Sequence, residues 1–309
     1  MPFAPTSGAR FGYVAEATFG TTPATPTFLP IRATGAGLRT NKSTVVSEEI
    51  RYDRNISDEP QTGQDVSGAY NFELSYGSFD DLIAAALFGS WTNDVVKNGI
   101  TDTSFTIEET LRVDGALDTF SRFTGAMINQ MSLSVTARER VTGSFDMMAQ
   151  KEELASAIIT GATYTDPSTE PILTASSHVA DLTVAGDAAI KVRSLSLQIA
   201  NNLRTRPVVG SLYSEQFGWS DCDVTGTIEA YFQSNALHQQ VLNHGGGALS
   251  FTIGSEANKK YAFSLPKIIF LNGERRLGGK NDDVMMSIPF RAVYDDTLAA
   301  SVGITRAVA

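Results

Sequence analysis

The stretch from Val45 to Trp91, VVSEEIRYDRNISDEPQTGQDVSGAYNFELSYGSFDDLIAAALFGSW, holds three devices in a row: a long polar connection, an alternating strand and a short capped helix. In DVSGAYNFELS (65–75), Val66, Gly68, Tyr70, Phe72 and Leu74 fall on one face. Ser67, Ala69, Asn71, Glu73 and Ser75 fall on the other. A period of two with one apolar face predicts a strand with one side to a core and one to water. Ser78 then offers an N-cap, and Asp80 and Asp81 suit the positive end of a helix dipole. Phe79, Leu82, Ile83, Ala86 and Leu87 form a helical stripe, and Gly89 supplies a stop.

The connection in front of this strand, Thr40 to Gln64, is long for a structureless segment within a domain. It carries Glu48, Glu49, Arg51, Asp53, Arg54, Asp58 and Glu59, with Val45, Val46, Ile50, Tyr52 and Ile56 scattered among them. An extended hairpin or interaction loop is expected. Further upstream, residues 1–28 have no period but hold Phe3, Phe11, Tyr13, Phe19 and Phe28. They are read as an extended arm packed on its own domain or on a neighbour, because so many aromatics do not suit a free tail. Residues 29–39 are read as a first strand. Downstream, strands are expected at 104–107, 127–136 and 141–149, with a charged turn at 137–140 and a short helix over 151–159. The Thr/Ser/Pro-rich stretch 161–177 reads as a linker.

The second half repeats this order. Residues 189–199 read as a strand, and Leu203-Arg204-Thr205 echoes Leu38-Arg39-Thr40. DVTG (223–226) matches DVSG (65–68), opening a second alternating strand. Leu237, Val241 and Leu242 reproduce the spacing of Leu82, Ala86 and Leu87, with Gly245 as the stop. SFTI recurs at 104–107 and 250–253, and Ser144–Met147 corresponds to Ser287–Phe290. Strands at 263–271 and 284–293 complete the copy. A period this long implies tandem domains rather than a solenoid. The expected division is an arm 1–28, a domain 29–160, a linker 161–177 and a domain 178–309.

Composition narrows the function. Lys and Arg total 24 against 34 Asp and Glu, a formal net charge of −10, which disfavours tight binding to phosphate backbones. Hydrophobic residues make up 42%, enough for a packed core. The single cysteine, Cys222, excludes an intrachain disulfide and a multi-Cys zinc site, which fits folding in a reducing compartment. The N-terminal segment lacks a basic region followed by an apolar run, and no stretch reaches the roughly 20 apolar residues of a membrane span. His178, His238 and His244 are scattered, without carboxylates at metal-ligand spacing. Gly245-Gly246-Gly247 follows a helix instead of opening one, so it is not a phosphate loop. The loop carboxylates do not match a calcium loop and are interleaved with arginines. No catalytic, cofactor or metal site is expected, and the chain is read as a non-enzyme.

The residues FGTTPATP, the 47–91 stretch and TGAMINQMSLSV (124–135) together resemble the tail tube proteins (major tail proteins) of long-tailed bacteriophages. The resemblance runs over about residues 10–150 and reaches the second half through the internal repeat. It implies a mainly β fold, with two tandem tail-tube-like β-sandwich or barrel domains, each flanked by one short α-helix. It further implies a structural virion protein, assembled in the host cytoplasm, that self-assembles into stacked rings around a channel for double-stranded DNA. The implied protein partners are the tape measure protein and the tail terminator and distal tail proteins; no membrane is involved. Six domains around the channel would mean a trimeric ring with pseudo-sixfold symmetry, or a hexameric ring if the second half is decoration. The 40–64 loop is the expected site of contacts between rings or subunits, through Val46, Glu48, Glu49, Arg51, Tyr52, Asp53, Arg54, Asp58 and Glu59. Asn71, Glu73, Ser134, Asp146, Thr227 and Glu229 lie on polar strand faces and are candidates for the wall of a negatively charged channel. A β-sandwich binding module or adhesin of the virion surface is the alternative; it would need an exposed aromatic platform, and Trp91 and Trp219 are the only tryptophans.

Overall fold

The computed structural model describes residues 3–35, 37–113 and 118–309. Met1, Pro2 and Ala36, which fall in the arm and first-strand readings, lie outside the described residues. The first half comprises β1 (Arg10–Ala15), β2 (Thr27–Pro30), β3 (Ala33–Gly35), β4 (Leu38–Thr44), β5 (Gln61–Glu73), α1 (Asp80–Ala86), β6 (Val95–Lys97), β7 (Phe105–Leu111), β8 (Thr119–Thr136), β9 (Thr142–Ala149), β10 (Lys151–Ala155) and β11 (Thr163–Tyr164). The second comprises α2 (Ala175–His178), β12 (Val179–Val184), β13 (Val192–Ala200), β14 (Arg204–Pro207), β15 (Ser214–Gly218), β16 (Asp223–Tyr231), α3 (Asn235–Leu242), β17 (Gly246–Ile253), β18 (Tyr261–Phe270), β19 (Glu274–Arg276), β20 (Met285–Ala292) and β21 (Gly303–Thr305). The fold is mainly β.

Each half is a pair of sheets sharing one bent strand. In the first half β4, β5, β9 and the C-terminal part of β8 pair in that order. The N-terminal part of β8 leaves this sheet and pairs instead with β7 and β10, with β1 and β2 beyond β7. The crossing point is Gly125, whose φ of +65° is open to glycine. The second half repeats the scheme: β13, β16, β20 and a composite of β18 and β19 form one sheet. The start of β18 turns away from β20 to pair with β21, β17 follows β18 from Tyr261 to Ile269, and β12 and β6 lie outside them.

Register makes the duplication concrete. Gly68 faces Met147 and Gly226 faces Phe290, and the same two glycines face Leu38 and Leu197 on their other side. Even the irregularity repeats: register slips between Ile128 and Gln130 against β9, and between Phe270 and Glu274 against β20. The matches of DVSG with DVTG and of 144–147 with 287–290 therefore hold residue by residue. Two other matches do not. Leu197-Gln198-Ile199, not Leu203-Arg204-Thr205, occupies the place of Leu38-Arg39-Thr40. The two SFTI segments sit on corresponding strands but four residues out of register, since Ile107 faces Phe123 where Leu249 faces Leu265.

The repeated glycine has a steric cause. A Cβ on Gly68 would lie 2.2 Å from the Gly37 carbonyl oxygen, and one on Gly226 would lie 2.2 Å from that of Ser196. Both strands thus pass too close to their neighbour for a side chain.

Several local readings are corrected. The stretch 151–159 contains helix formers, yet its first part is the strand β10, recruited by the exposed edge of β8. Ser78 does not cap α1: its hydroxyl accepts from Ser75, and Phe79 holds the cap position. Residues 29–39 form parts of three short strands, and the polar connection narrows to 45–60 because β4 and β5 extend into it. Within the stretch read as an arm, β1 pairs along its whole length with β7, anchored by buried Tyr13. Within the stretch read as a linker, β11 pairs with β2, and Leu173 is buried against the first half.

Candidate assembly surfaces

The decisive junction is β8 with β13. They pair from Gln130–Ala200 to Thr136–Ser194, joining the main sheets of the two halves edge to edge. The result is a run β4–β5–β9–β8–β13–β16–β20, ended by the composite β18–β19.

One face of this run is the core. Tyr70, Phe72, Phe145, Met131, Leu133, Leu197, Ile228 and Phe290 are all buried there. The opposite face is mostly polar, because each strand alternates, although Ala69, Ala200, Ile269 and Pro289 also lie on it. It brings together all six channel-wall candidates, Asn71, Glu73, Ser134, Asp146, Thr227 and Glu229, across four strands. Hydroxyls and amides tie the strands laterally: Ser132 to Ser144 at 2.9 Å, Gln198 Nε2 to Gln130 Oε1 at 2.6 Å, Ser194 Oγ to Glu229 at 3.0 Å. Most acids here meet an arginine: Arg140 lies 2.8 Å from Glu73, Arg291 2.9 Å from Asp223, and Arg276 3.5 Å from Glu229. Asp146 is half-buried, and that burial pushes its carboxyl above the usual range. Gln130, Ser132 and Gln198 were not singled out from the sequence, although the alternation of SLSLQ (194–198) with MSLSV (131–135) carried the signal.

The second surface is the hairpin between β4 and β5. Its arms continue beyond the strands through Val45 N to Pro60 O at 3.1 Å and Ser47 N to Asp58 O at 2.9 Å. The tip is ordered by its own charges. Arg51 donates two hydrogen bonds to Asp53, at 3.0 and 2.8 Å, and lies 3.9 Å from Glu49. That guanidinium holds the Asp53 carboxyl down at about 2. Asp58 accepts from the Glu59 amide, Glu59 accepts from Thr44, and Arg54 adopts a positive φ of 62°. Ile50 and Tyr52 are fully exposed, Ile56 is largely so and Val46 is about half exposed. Arg51, Asp53 and Glu49 thus pair within the loop, while its apolar side chains stay exposed.

Its counterpart is the hairpin β14–β15, and the contrast is instructive. The connections Asn41–Asp65 and Ala200–Asp223 are nearly equal in length. The second one folds back onto the first half: Gln64 N donates to Leu212 O at 2.7 Å, and Ser214 Oγ to Asp65 at 2.9 Å. Phe217 packs with Phe88, Met127, Phe19 and Met148. Asn201 is buried and its Nδ2 donates to Ala86 O at 3.0 Å and Ile128 O at 2.9 Å.

The remaining chemistry is quiet. Burial and the neighbouring Asp223 push the Cys222 thiol up to about 11, which keeps it un-ionised and inert. Trp219 packs edge-on against Phe88, and Trp91 lies under the Arg306 guanidinium, so neither forms an open platform. No helix among the described residues is long and apolar enough to cross a membrane.

A family model described as phage tail tube protein matches residues 6–292, almost the whole chain and both halves of the duplication. No curated protein matches the chain.

Proposed function

The chain belongs to the phage tail tube protein family, and from that premise we propose that it closes head to tail into rings that stack as the tail tube, a structural part of the virion. The observation that carries this reading is the continuous sheet with one mainly polar face and, among the described residues, an open edge at each end, β4 and β19. Open edges of this kind demand partners, and closure into a ring removes them. The two tube units would be residues 29–160 and 178–309, joined by 161–177. Three chains then give a pseudo-sixfold ring of about 24 strands. At a strand spacing of about 4.8 Å that ring is about 37 Å across the backbone before strand tilt widens it, leaving an aqueous channel.

The polar face, with Asn71, Glu73, Ser134, Asp146, Thr227 and Glu229, would line that channel. Acids on it (Asp65, Glu73, Asp146, Asp223, Glu229, Glu274) outnumber arginines (Arg39, Arg140, Arg276, Arg291). Such a wall repels phosphate without holding it, suiting the passage of DNA and, earlier, the tape measure protein. The tip of the 45–60 hairpin would reach the next ring, and terminator and distal tail proteins would cap the stack. Assembly would take place in the host cytoplasm.

Negative-stain microscopy of the purified chain should show rings or tubes with a central channel; a stable monomer at high concentration would sink the proposal. Mass per ring by scanning transmission microscopy should equal three chains, and six would overturn the tandem arrangement. Deleting Ser47–Glu59 should leave folded protein that no longer forms tubes.

A further inference from the structure

The junction inside one chain specifies, residue by residue, the junction between two. Strand β13 lies on the edge of β8 in a fixed register: Gln130 faces Ala200, Ser132 faces Gln198, and Ser134 faces Ser196. The duplication supplies the counterpart of every one of these positions. Through the pairings with Gly68 and Gly226, Leu38, Arg39 and Asn41 stand for Leu197, Gln198 and Ala200. Through Ser144 and Ser287, Ser132 is matched by Glu274, and hence Gln130 by Asn272 and Ser134 by Arg276.

Resting on the ring reading above, we propose that β4 of one copy adds antiparallel to Asn272–Arg276 of the next, with Arg39 facing Glu274 and Asn41 facing Asn272. Among the described residues both edges are open to another strand: β4 pairs only with β5, its Leu38 N donating to the Glu109 carboxylate, and β19 pairs only with β20. Directly opposed residues on one face of an antiparallel pair lie within side-chain reach, and opposite charges there are favourable. Arg39 is exposed and forms no ion pair among the described residues, while Glu274 has only its strand neighbour Arg276 at 2.6 Å. A neutral pair, Ser132 with Gln198, fills the same position inside the chain. The charges mark the outer junction as different from the inner one, so that β4 selects the β19 edge of another copy.

A second position agrees. The counterpart of Asn201, which caps the end of α1, is Lys42; the counterpart of Ala86 is Val241, in the last turn of α3. That turn holds no basic residue of its own, and an ammonium suits a helix C-terminus. Lys42 is exposed in the single chain although it lies on the core-facing side of β4. A neighbour's α3 gives it a role.

The test uses paired cysteines in the full chain, with the wild-type chain controlling for Cys222. Arg39→Cys with Glu274→Cys should give, after mild oxidation of assembled protein, a ladder of covalent multimers on a non-reducing gel. The uncharged pair Asn41→Cys with Asn272→Cys, in the same register, should do the same and decides the matter if loss of the charges prevents assembly. The slipped pair Arg39→Cys with Asn272→Cys should stay monomeric on the gel. Tubes in which only the slipped pair, or neither in-register pair, cross-links would overturn this register while leaving the ring intact. Absence of tubes from the wild-type chain would instead remove the ring reading and the register with it. The ladder should end at three; a ladder ending at six keeps the register and overturns the trimer.

Discussion

Helices α1 and α3 occupy the same station in the two halves, yet one is interior and the other is surface. Leu82 through Leu87 are buried around α1, whereas in α3 only Val241 is. The sharpest contrast is Leu87, fully buried, against its counterpart Leu242, 65% exposed. The difference comes from what lies over them. Tyr261 donates its hydroxyl to the Asp80 carboxylate, the Arg306 guanidinium stands 2.7 Å from the same group, and Asn201 closes the far end. All three belong to the second half. No such cover lies over α3 among the described residues, so burial in this fold is a property of the junction rather than of the helix.

That comparison can be broken by substitution. Leu87→Ala removes a side chain from the closed junction and should cost about 2–5 kcal/mol in chemical unfolding of the unassembled chain. Gly226→Ala drives a methyl into the Ser196 carbonyl and the Phe290 ring and should cost about 1–3 kcal/mol, with Gly68→Ala close behind. Asn201→Ala bares the Ala86 carbonyl at the end of α1 and the Ile128 carbonyl on β8 and should cost about 1–2 kcal/mol, whereas Lys42→Ala should leave the free chain unchanged. A pH-dependent increment separates the halves further. Glu109 on β7 stands where β17 has Phe251, and burial raises its carboxyl above 4.5, opposed by hydrogen bonds from Tyr70 and Leu38 N. The folded state therefore prefers the protonated form. Its contribution is full below the ordinary carboxyl value and is lost as pH rises through the raised one. Glu109→Gln should accordingly raise the unfolding midpoint at neutral pH, with the gap closing below pH 4.5. Smallest on the free chain is Leu242→Ala, within about 0.5 kcal/mol by the same unfolding assay; its effect should appear only in tube yield by light scattering.

The parts of this architecture visible in the sequence are those governed by alternation. Val66 to Leu74 reads as a strand because its neighbours on both sides impose the same pleat, and the polar face assembles itself from such strands. Repeats were legible where a steric need was shared, as at Gly68 and Gly226. They misled where a tetrapeptide merely suited any strand, as with SFTI. The LRT echo failed because the β14–β15 hairpin follows β13 directly and begins with a similar run. Helix formers at 151–155 lost to an available sheet edge, since tertiary pairing outweighs a weak local preference. The sheet ends, β4 and β19, could not be read at all: which strand stands last depends on pairings made by residues far away in the chain.

The strand β21 carries a consequence for how the molecule is made. It pairs with β6, and Asn98 Oδ1 accepts from Ser301 N, Ser301 Oγ and Val302 N across more than 200 positions of sequence. Contacts this distant form late, because the loop between them must close first. During synthesis β6 therefore waits for residues more than 200 positions downstream, and α1 stays without its Arg306 cover until then. A chain without β21 keeps its first half unlocked. The stability of the first half is thus tied to residues of the second, and only a copy in which the two have docked presents two well-formed edges to its neighbours.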